Sequence, residues 1–240
     1  IYISPLRALL NNLEERLCLY SQMVGICCFK WHGETKKSAK TKFIESPANV
    51  LLITPESLEV MLLSSKINNK EMFKNLRFVI IDEIHNLADC DRGNHLLSVL
   101  ERIKIYAKYD FQRIALSATV GNPQEILNWF SGLSQKGNCV VSFSNKKTPK
   151  KIIIKYMQQE KLPESLIKRA LNQKSFFFCN SRKYAEKVAK HMTDKGIKIF
   201  VHHSSISKET RESIEKAMTR ENNICVICTS TLELGIDVGD

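Results

Sequence analysis

The sequence lacks a long hydrophobic run, a dinucleotide-binding glycine pattern and a second CxxC motif, and each absence removes a class of protein. No apolar stretch in the 240 residues approaches the roughly 20 needed to span a bilayer, so no membrane partner is expected. The opening IYISPLRALL has neither the basic stretch nor the small-residue cleavage site of a secretory leader. None of the nine glycines builds G-x-G-x-x-G after a strand-like run, which argues against a dinucleotide-dependent oxidoreductase. G-x-x-x-x-G-K-[ST] is also missing: Gly132 and Gly137 have its first spacing, but Asn138-Cys139 follows, and the pair comes after a helical stretch. Cys225 and Cys228 lie inside the strand-like NICVICTS, where side chains three apart face opposite ways, and no second pair completes a zinc site. They are read as packed cysteines, as are Cys27 and Cys28. Eight cysteines without a leader fit a reducing, cytoplasmic setting.

What is present is ordinary for a globular protein, at 43% hydrophobic and 25% charged residues. A chain of this length can bury roughly 70 to 75% of the surface it exposes when unfolded. The net charge of +11 is uneven. Residues 1–145 carry 17 basic and 14 acidic side chains, a balance of +3, whereas residues 146–240 carry 19 and 11, a balance of +8. Such a surface suits a polyanion, although a lysine-rich solubilising surface has the same composition.

Short apolar runs alternate with amphipathic stretches throughout. Strands are expected at 1–4, 24–30, 50–53, 77–81, 112–116, 139–142, 152–156, 175–179, 198–201 and 224–228. Helices are expected at 5–19, 55–63, 95–107, 123–130, 182–195 and 208–218, with Pro5, Pro55 and Pro123 at helix starts, where a missing N–H costs little. Repeated strand and helix predict an α/β fold with parallel sheets covered on both faces. The rhythm breaks at SFSNKKTPKK, residues 142–151, the expected linker between a first unit at 1–145 and a second at 146–240.

Within this frame FVIIDEIHNLAD stands out, because the apolar run 78–81 opens onto Asp82 and Glu83, with His85 two positions on. Burying such charges without partners is costly, so the pair belongs just beyond the strand's carboxyl end, where open α/β sheets bind ligands. Taken alone, two carboxylates there also suit a helix N-terminus.

DEIH resembles the DExH box of superfamily-two nucleic-acid helicases. The resemblance extends in order through PLRALL, TPESL at 54–58, DEIH, SAT at 117–119, FFFCNSR at 176–182, HHSS at 202–205 and TSTLELGID at 229–237. The longer stretches DEIHNLADCDRGNHLLSVLERI, QRIALSATVGNPQEI and TSTLELGIDVGD most resemble the large-helicase-related, or Lhr-type, branch.

The resemblance implies two RecA-like domains and an ATP-dependent helicase acting on single-stranded DNA or RNA, or on a duplex with a single-stranded tail. Asp82 would hold Mg²⁺ through its water shell and Glu83 would orient the attacking water. His85 would couple the nucleotide site to the second domain. Ser117 and Thr119 would hydrogen-bond the acidic box and link hydrolysis to domain movement; both residue types also serve as helix caps. Arg7, Thr54, Ser181, Arg182 and Thr229 would grip the nucleic-acid backbone, although a lone arginine such as Arg7 also suits a solvated surface. Gly235 and Asp237 belong to a motif that faces nucleotide in the family. His202 and His203 are assigned to packing or backbone contact, and Phe176–Phe178 to a buried strand. The family's phosphate-binding loop is expected upstream of PLRALL and its arginine motif beyond TSTLELGID, leaving both domains truncated. A binding fragment that keeps the fold and the basic surface without ATPase activity is the rival from another class.

Overall fold

The computed structural model describes residues 1–118, 120–142, 153, 154, 156, 173–194 and 198–229. The chain divides into two compact units, Ile1–Ser144 and Asn145–Asp240.

The first unit is built on β1 (Tyr2–Ile3), β2 (Cys28–Trp31), β3 (Val50–Ile53), β4 (Phe78–Ile81) and β5 (Gln112–Ala115), in the order β2-β3-β1-β4-β5. Every pairing is parallel. Parallel neighbours need crossovers, and the intervening amphipathic segments supply them. These are α1 (Arg7–Met23), α2 (Lys37–Glu45), α3 (Pro55–Leu63), α4 (Asn69–Phe73) and α5 (Asp91–Tyr106), with α6 (Pro123–Ser131) following β5. One core gathers Ile3, Ile53, Val79 and Ile81 from the sheet with Leu58, Met61, Leu96, Val99 and Leu100 from α3 and α5. Glu59 of α3 bonds to Arg102 of α5, which pins those two helices at their surface.

The second unit contains β6 (Ser175–Phe178), β7 (Ile199–His202) and β8 (Cys225–Cys228), in the order β6-β8-β7, again parallel. Two helices, α7 (Arg182–Asp194) and α8 (Lys208–Arg220), provide the crossovers. The central strand β8 is buried along its whole length. Cys225 and Ile227 pack with Ala185, Val188 and Met192 of α7, whereas Val226 and Cys228 pack with Ile214 and Met218 of α8. The two cysteines of CxxC therefore face opposite sides of the sheet, as expected from the strand's period of two. All eight cysteines are free.

Several sequence expectations change. The strand expected at 24–30 begins only at Cys28, because Gly25 takes φ +72° in a turn whose amides bond back to Ser21 and Gln22. Residues 139–142 form no strand; Val140 and Val141 are exposed, and no strand among the described residues pairs with them. Pro5 precedes α1 and does not begin it, and α5 starts at Asp91, four residues before its expected start. Two short helices, α2 and α4, add to the expected set. Cys27 is exposed and not packed. Phe178, at the end of β6, is 56% exposed, and Phe176 and Phe177 are half-buried, packed against the cores on opposite faces of the sheet, so the strand is not buried throughout as expected. Of the strand expected at 152–156, Ile153, Ile154 and Tyr156 are described; all three are exposed and belong to no strand, because no neighbour among the described residues pairs with them. The linker expected at 142–151 lies outside the described residues apart from Ser142. Among the described residues no helix is long and apolar enough to cross a membrane.

Candidate functional site

Strand register decides which side chains meet. In the first unit Trp31, Ile53, Ile3, Ile81 and Ala115 form one row across the sheet. The next residue of each chain segment, His32, Thr54, Ser4, Asp82 and Leu116, therefore emerges at the carboxyl edge. The ladder runs one step further, through Ser4 N to Ile53 O (3.1 Å), Asp82 N to Ile3 O (2.8 Å) and Leu116 N to Ile81 O (2.8 Å). PLRALL, TPESL, DEIH and the start of SAT thus share one edge.

At its centre Asp82 accepts a 2.8 Å hydrogen bond from the Tyr2 hydroxyl on Oδ2 and a 3.0 Å bond from the Glu83 amide on Oδ1. Burial, followed by the Asp82 hydrogen bond and charge, holds the Tyr2 phenol well above its ordinary pKa of 10. No lysine or arginine pairs with Asp82 or Glu83 among the described residues. Glu83 adopts a left-handed conformation, φ 49° and ψ 46°, unusual for a residue with a Cβ. Such a conformation costs on the order of 1 kcal/mol and persists only where the surroundings impose it. It turns the chain from β4 into the single helical turn Ile84–Asn86, whose first amide bonds to Leu116 O at 3.0 Å.

That turn carries His85. Its Nδ1 lies 2.8 Å from Ser117 Oγ and 3.4 Å from Glu83 Oε2, while Nε2 lies 3.1 Å from Asn86 Nδ2. The Asn86 amide nitrogen, as oriented, can only donate, so in a neutral ring Nε2 accepts and Nδ1 carries the proton that it gives to Ser117. Ser117 therefore meets the histidine of the acidic box. Thr119 lies outside the described residues.

Arg7 is exposed and paired with Glu34 at 3.1 Å, an exchangeable surface contact. Thr54 is buried, and its hydroxyl donates to Ser57 Oγ at 2.9 Å. Two connections were invisible in the sequence. One is Tyr2 on Asp82. The other is Arg92 of α5, which donates to Glu56 Oε1 (2.5 Å) and to Pro5 O (2.6 Å), tying TPESL to PLRALL. Burial opposes the Glu56 charge, but Arg92, a backbone amide and the Thr54 hydroxyl together outweigh it and hold the carboxyl below its ordinary pKa. The only signal for Arg92 was its place in the helix that follows the box.

In the second unit Phe178, Cys228 and His202 form the last paired row. Ser181, Arg182, His203 and Thr229 follow at that sheet's carboxyl edge. The Ser181 hydroxyl caps α7 by accepting from Tyr184 N at 3.2 Å, and Arg182 Nη1 donates to Ser205 Oγ at 2.7 Å. Thr229 N donates to His202 O at 3.2 Å. His202 and His203 are buried: His202 Nε2 lies 3.2 Å from Glu215 Oε1, and His203 joins Ser205 N (3.3 Å) to Glu186 Oε1 (3.1 Å). Among the described residues no three His, Cys, Asp or Glu side chains gather into a metal cage. Gly235 and Asp237 lie outside the described residues.

Comparison with known families finds the DEAD/DEAH box helicases over residues 1–126 and the helicase conserved C-terminal domain over residues 157–240. The chain belongs to the DEAD/DEAH box helicase family. Within it the similarity is to the Lhr-type branch. An ATP-dependent helicase Lhr-Core protein 2 of Thermococcus barophilus is 34% identical across the whole of this chain, and an ATP-dependent helicase Lhr-Core of Sulfolobus acidocaldarius is 32% identical. The chain spans 31% and 30% of those relatives' lengths. The solved structure of Mycobacterium smegmatis helicase Lhr bound to ssDNA and AMP-PNP superposes with a TM-score of 0.75 at 31% identity, over 99% of this chain and 34% of that one. The two parallel-sheet units are accordingly the RecA-like domains of this helicase family.

Proposed function

We propose that this DEAD/DEAH box chain serves an ATP-dependent nucleic-acid helicase or translocase, coupling ATP hydrolysis to movement along a strand. The observation that carries the reading is the carboxyl-edge cluster of Asp82, Glu83, His85 and Ser117. Its two carboxylates have no lysine or arginine partner among the described residues, and its histidine bridges Glu83 to Ser117, just beyond the neighbouring strand. The oxygen donors fit Mg²⁺, which keeps most of its waters and needs only one or two carboxylates beside substrate phosphates. Asp82 would hold the ion through water, fixed by Tyr2 and the Glu83 amide. The metal, when bound, neutralises phosphate charge during transfer. Glu83 orients the attacking water, and the His85–Ser117 bond carries the state of that site to β5. Thr119, Gly235 and Asp237 take the family's roles of linking and nucleotide contact.

Single-stranded DNA or RNA, alone or as the tail of a duplex, is the proposed partner. The Mycobacterium smegmatis relative is described as bound to ssDNA, and here Arg7, Thr54, Ser181, Arg182 and Thr229 lie at the carboxyl edges of their own sheets. The eight free cysteines suit a cytoplasmic protein. A binding module without catalysis does not account for the complete acidic box.

The test is a chimera that joins a G-x-x-x-x-G-K-[ST] segment ahead of Ile1. Strand-stimulated phosphate release that disappears with Glu83→Gln supports the proposal. Strand binding with turnover indifferent to Glu83→Gln overturns it.

A further inference from the structure

The first unit has a second concave surface, at the opposite end of the same sheet from the acidic box. Phe78 and Gln112 are the first residues of β4 and β5, and beside them Arg77, Lys108, Tyr109, Asp110, Gln135 and Lys136 line an open cavity of about 760 Å³. The motifs that account for the proposed motor use none of these residues.

The cavity is cationic in effect. Its one carboxylate, Asp110, accepts from Gln135 N (2.7 Å) and Ser134 Oγ (3.1 Å) and lies 3.5 Å from Lys104 Nζ. Burial works against that charge, but the Gln135 amide, the Ser134 hydroxyl and Lys104 outweigh it and hold the carboxyl below its ordinary pKa. Asp110 is thus committed to Lys104 of α5 and to Ser134 and Gln135 after α6. Among the described residues no carboxylate pairs with Arg77, Lys108 or Lys136. These cations stand beside aromatic surface: the Arg77 guanidinium sits 3.4 Å from the Tyr109 ring centroid, Lys108 Nζ sits 5.5 Å from it, and Phe78 is 53% exposed. Cations without a carboxylate partner, set beside the exposed Phe78 ring, are what a strand of phosphates and bases requires. An acidic peptide would satisfy the cations and leave the exposed Phe78 ring without a partner.

We infer that this cavity is an accessory nucleic-acid contact, in which Arg77, Lys108 and Lys136 hold phosphates and Phe78 takes a base. The inference rests on the nucleic-acid function proposed above. It gives a strand a hold on the first unit away from the hydrolytic edge.

The experiment measures binding of a fluorescein-labelled oligothymidylate to the 240-residue chain across a salt series, without ATP. Lys108→Ala/Lys136→Ala should reduce the steepness of log affinity against log salt by about 1.4, at roughly 0.7 for each phosphate no longer neutralised. Phe78→Ala should weaken binding about fivefold or more while leaving that slope unchanged. Lys66→Ala/Lys70→Ala removes the same charge outside the cavity and should leave the slope nearer the wild-type value. Equal effects of the two lysine pairs, or no effect of Phe78→Ala, would overturn the site. Competition by AMP as strong, per phosphate, as by unlabelled oligonucleotide would overturn the strand assignment in favour of a free nucleotide. Abolished binding in Arg182→Ala with full binding in the cavity variants would remove the accessory site and leave the proposed function standing. No oligonucleotide binding at low salt would remove both.

Discussion

The hydroxyl of Tyr2 donates a 2.8 Å hydrogen bond to Oδ2 of Asp82, joining residues 80 apart in sequence. Sheet register explains the meeting. Tyr2 pairs with Ile80 across β1 and β4, so Asp82, two residues further on, projects from the same face within reach of a long side chain. The first residue pair of the fold thereby orients the first carboxylate of the box.

Tyr2→Phe should therefore cost about 1 kcal/mol at neutral pH, because it removes a partly buried hydrogen bond to a charged acceptor without opening a cavity. The pH dependence follows from the raised phenol pKa. The fold favours the protonated phenol, so Tyr2 contributes stability that is fully present below its ordinary pKa of 10 and is lost as pH rises above that value towards the folded one. Urea unfolding of wild type and Tyr2→Phe, compared at about pH 8 and about pH 11, should show the difference shrinking at the higher pH. A constant difference would separate Tyr2 from Asp82.

The His85–Ser117 bond makes a separate prediction about coupling. His85→Ala and Ser117→Ala remove the same 2.8 Å hydrogen bond, so a double-mutant cycle should return an interaction of about 1 kcal/mol in unfolding free energy. In the loop-completed chimera, Ser117→Ala should lower strand-stimulated phosphate release more than basal release. Additive stability effects together with unchanged stimulation would leave the bond without a role.

How much of this was legible depended on how local each cause is. Helix α3 is readable from sequence with the bounds Pro55–Leu63 because Pro55 fixes its first turn and its apolar positions are strong. Helix α2 is hard to see because KSAKTKFIE buries a single side chain, Phe43, and α4 because five residues show no helical period. Residues 139–142 have strand composition, but a strand also needs a neighbour, and local sequence cannot supply that information. The acidic box was readable because its residues are contiguous. Its supports were not, since Tyr2 and Arg92 reach their partners across 80 and 87 residues. Phe178 departs from the buried expectation because burial at a strand's end depends on the covering element, not on the side chain's own character.

Gly93 offers a test of packing close to the box. A Cβ there would fall 1.8 Å from Leu87 O and 3.0 Å from Trp129 Cζ2, and backbone on one side with a ring on the other leaves little room to yield. Gly93→Ala should destabilise the first unit by about 3 kcal/mol, despite Ala's better helix propensity. Gly121, which would meet nothing within 4 Å, is the control, and Gly121→Ala should stay within about 0.5 kcal/mol of wild type. Equal midpoints for the two variants would mean that α5 can shift away from Leu87.

The 240-residue chain on its own should not hydrolyse ATP at a helicase rate. Asp82 and Glu83 can place a metal and a water, but hydrolysis also needs the β- and γ-phosphates held and the developing charge stabilised. The first task belongs to backbone N–H groups and a lysine in G-x-x-x-x-G-K-[ST], and no such run occurs in these residues. Without it Mg²⁺–ATP meets carboxylates that repel its phosphates, with only the metal between them. Binding should be weak and turnover negligible, with or without single-stranded nucleic acid. Phosphate release by the wild-type chain should equal that of Glu83→Gln, which controls for contaminating ATPase. Strand-stimulated release present in the wild type and absent in Glu83→Gln would show that another group on this chain grips the phosphates. Lys and Arg side chains near the carboxyl edge of the first sheet, Arg7 foremost, would then be the ones to remove.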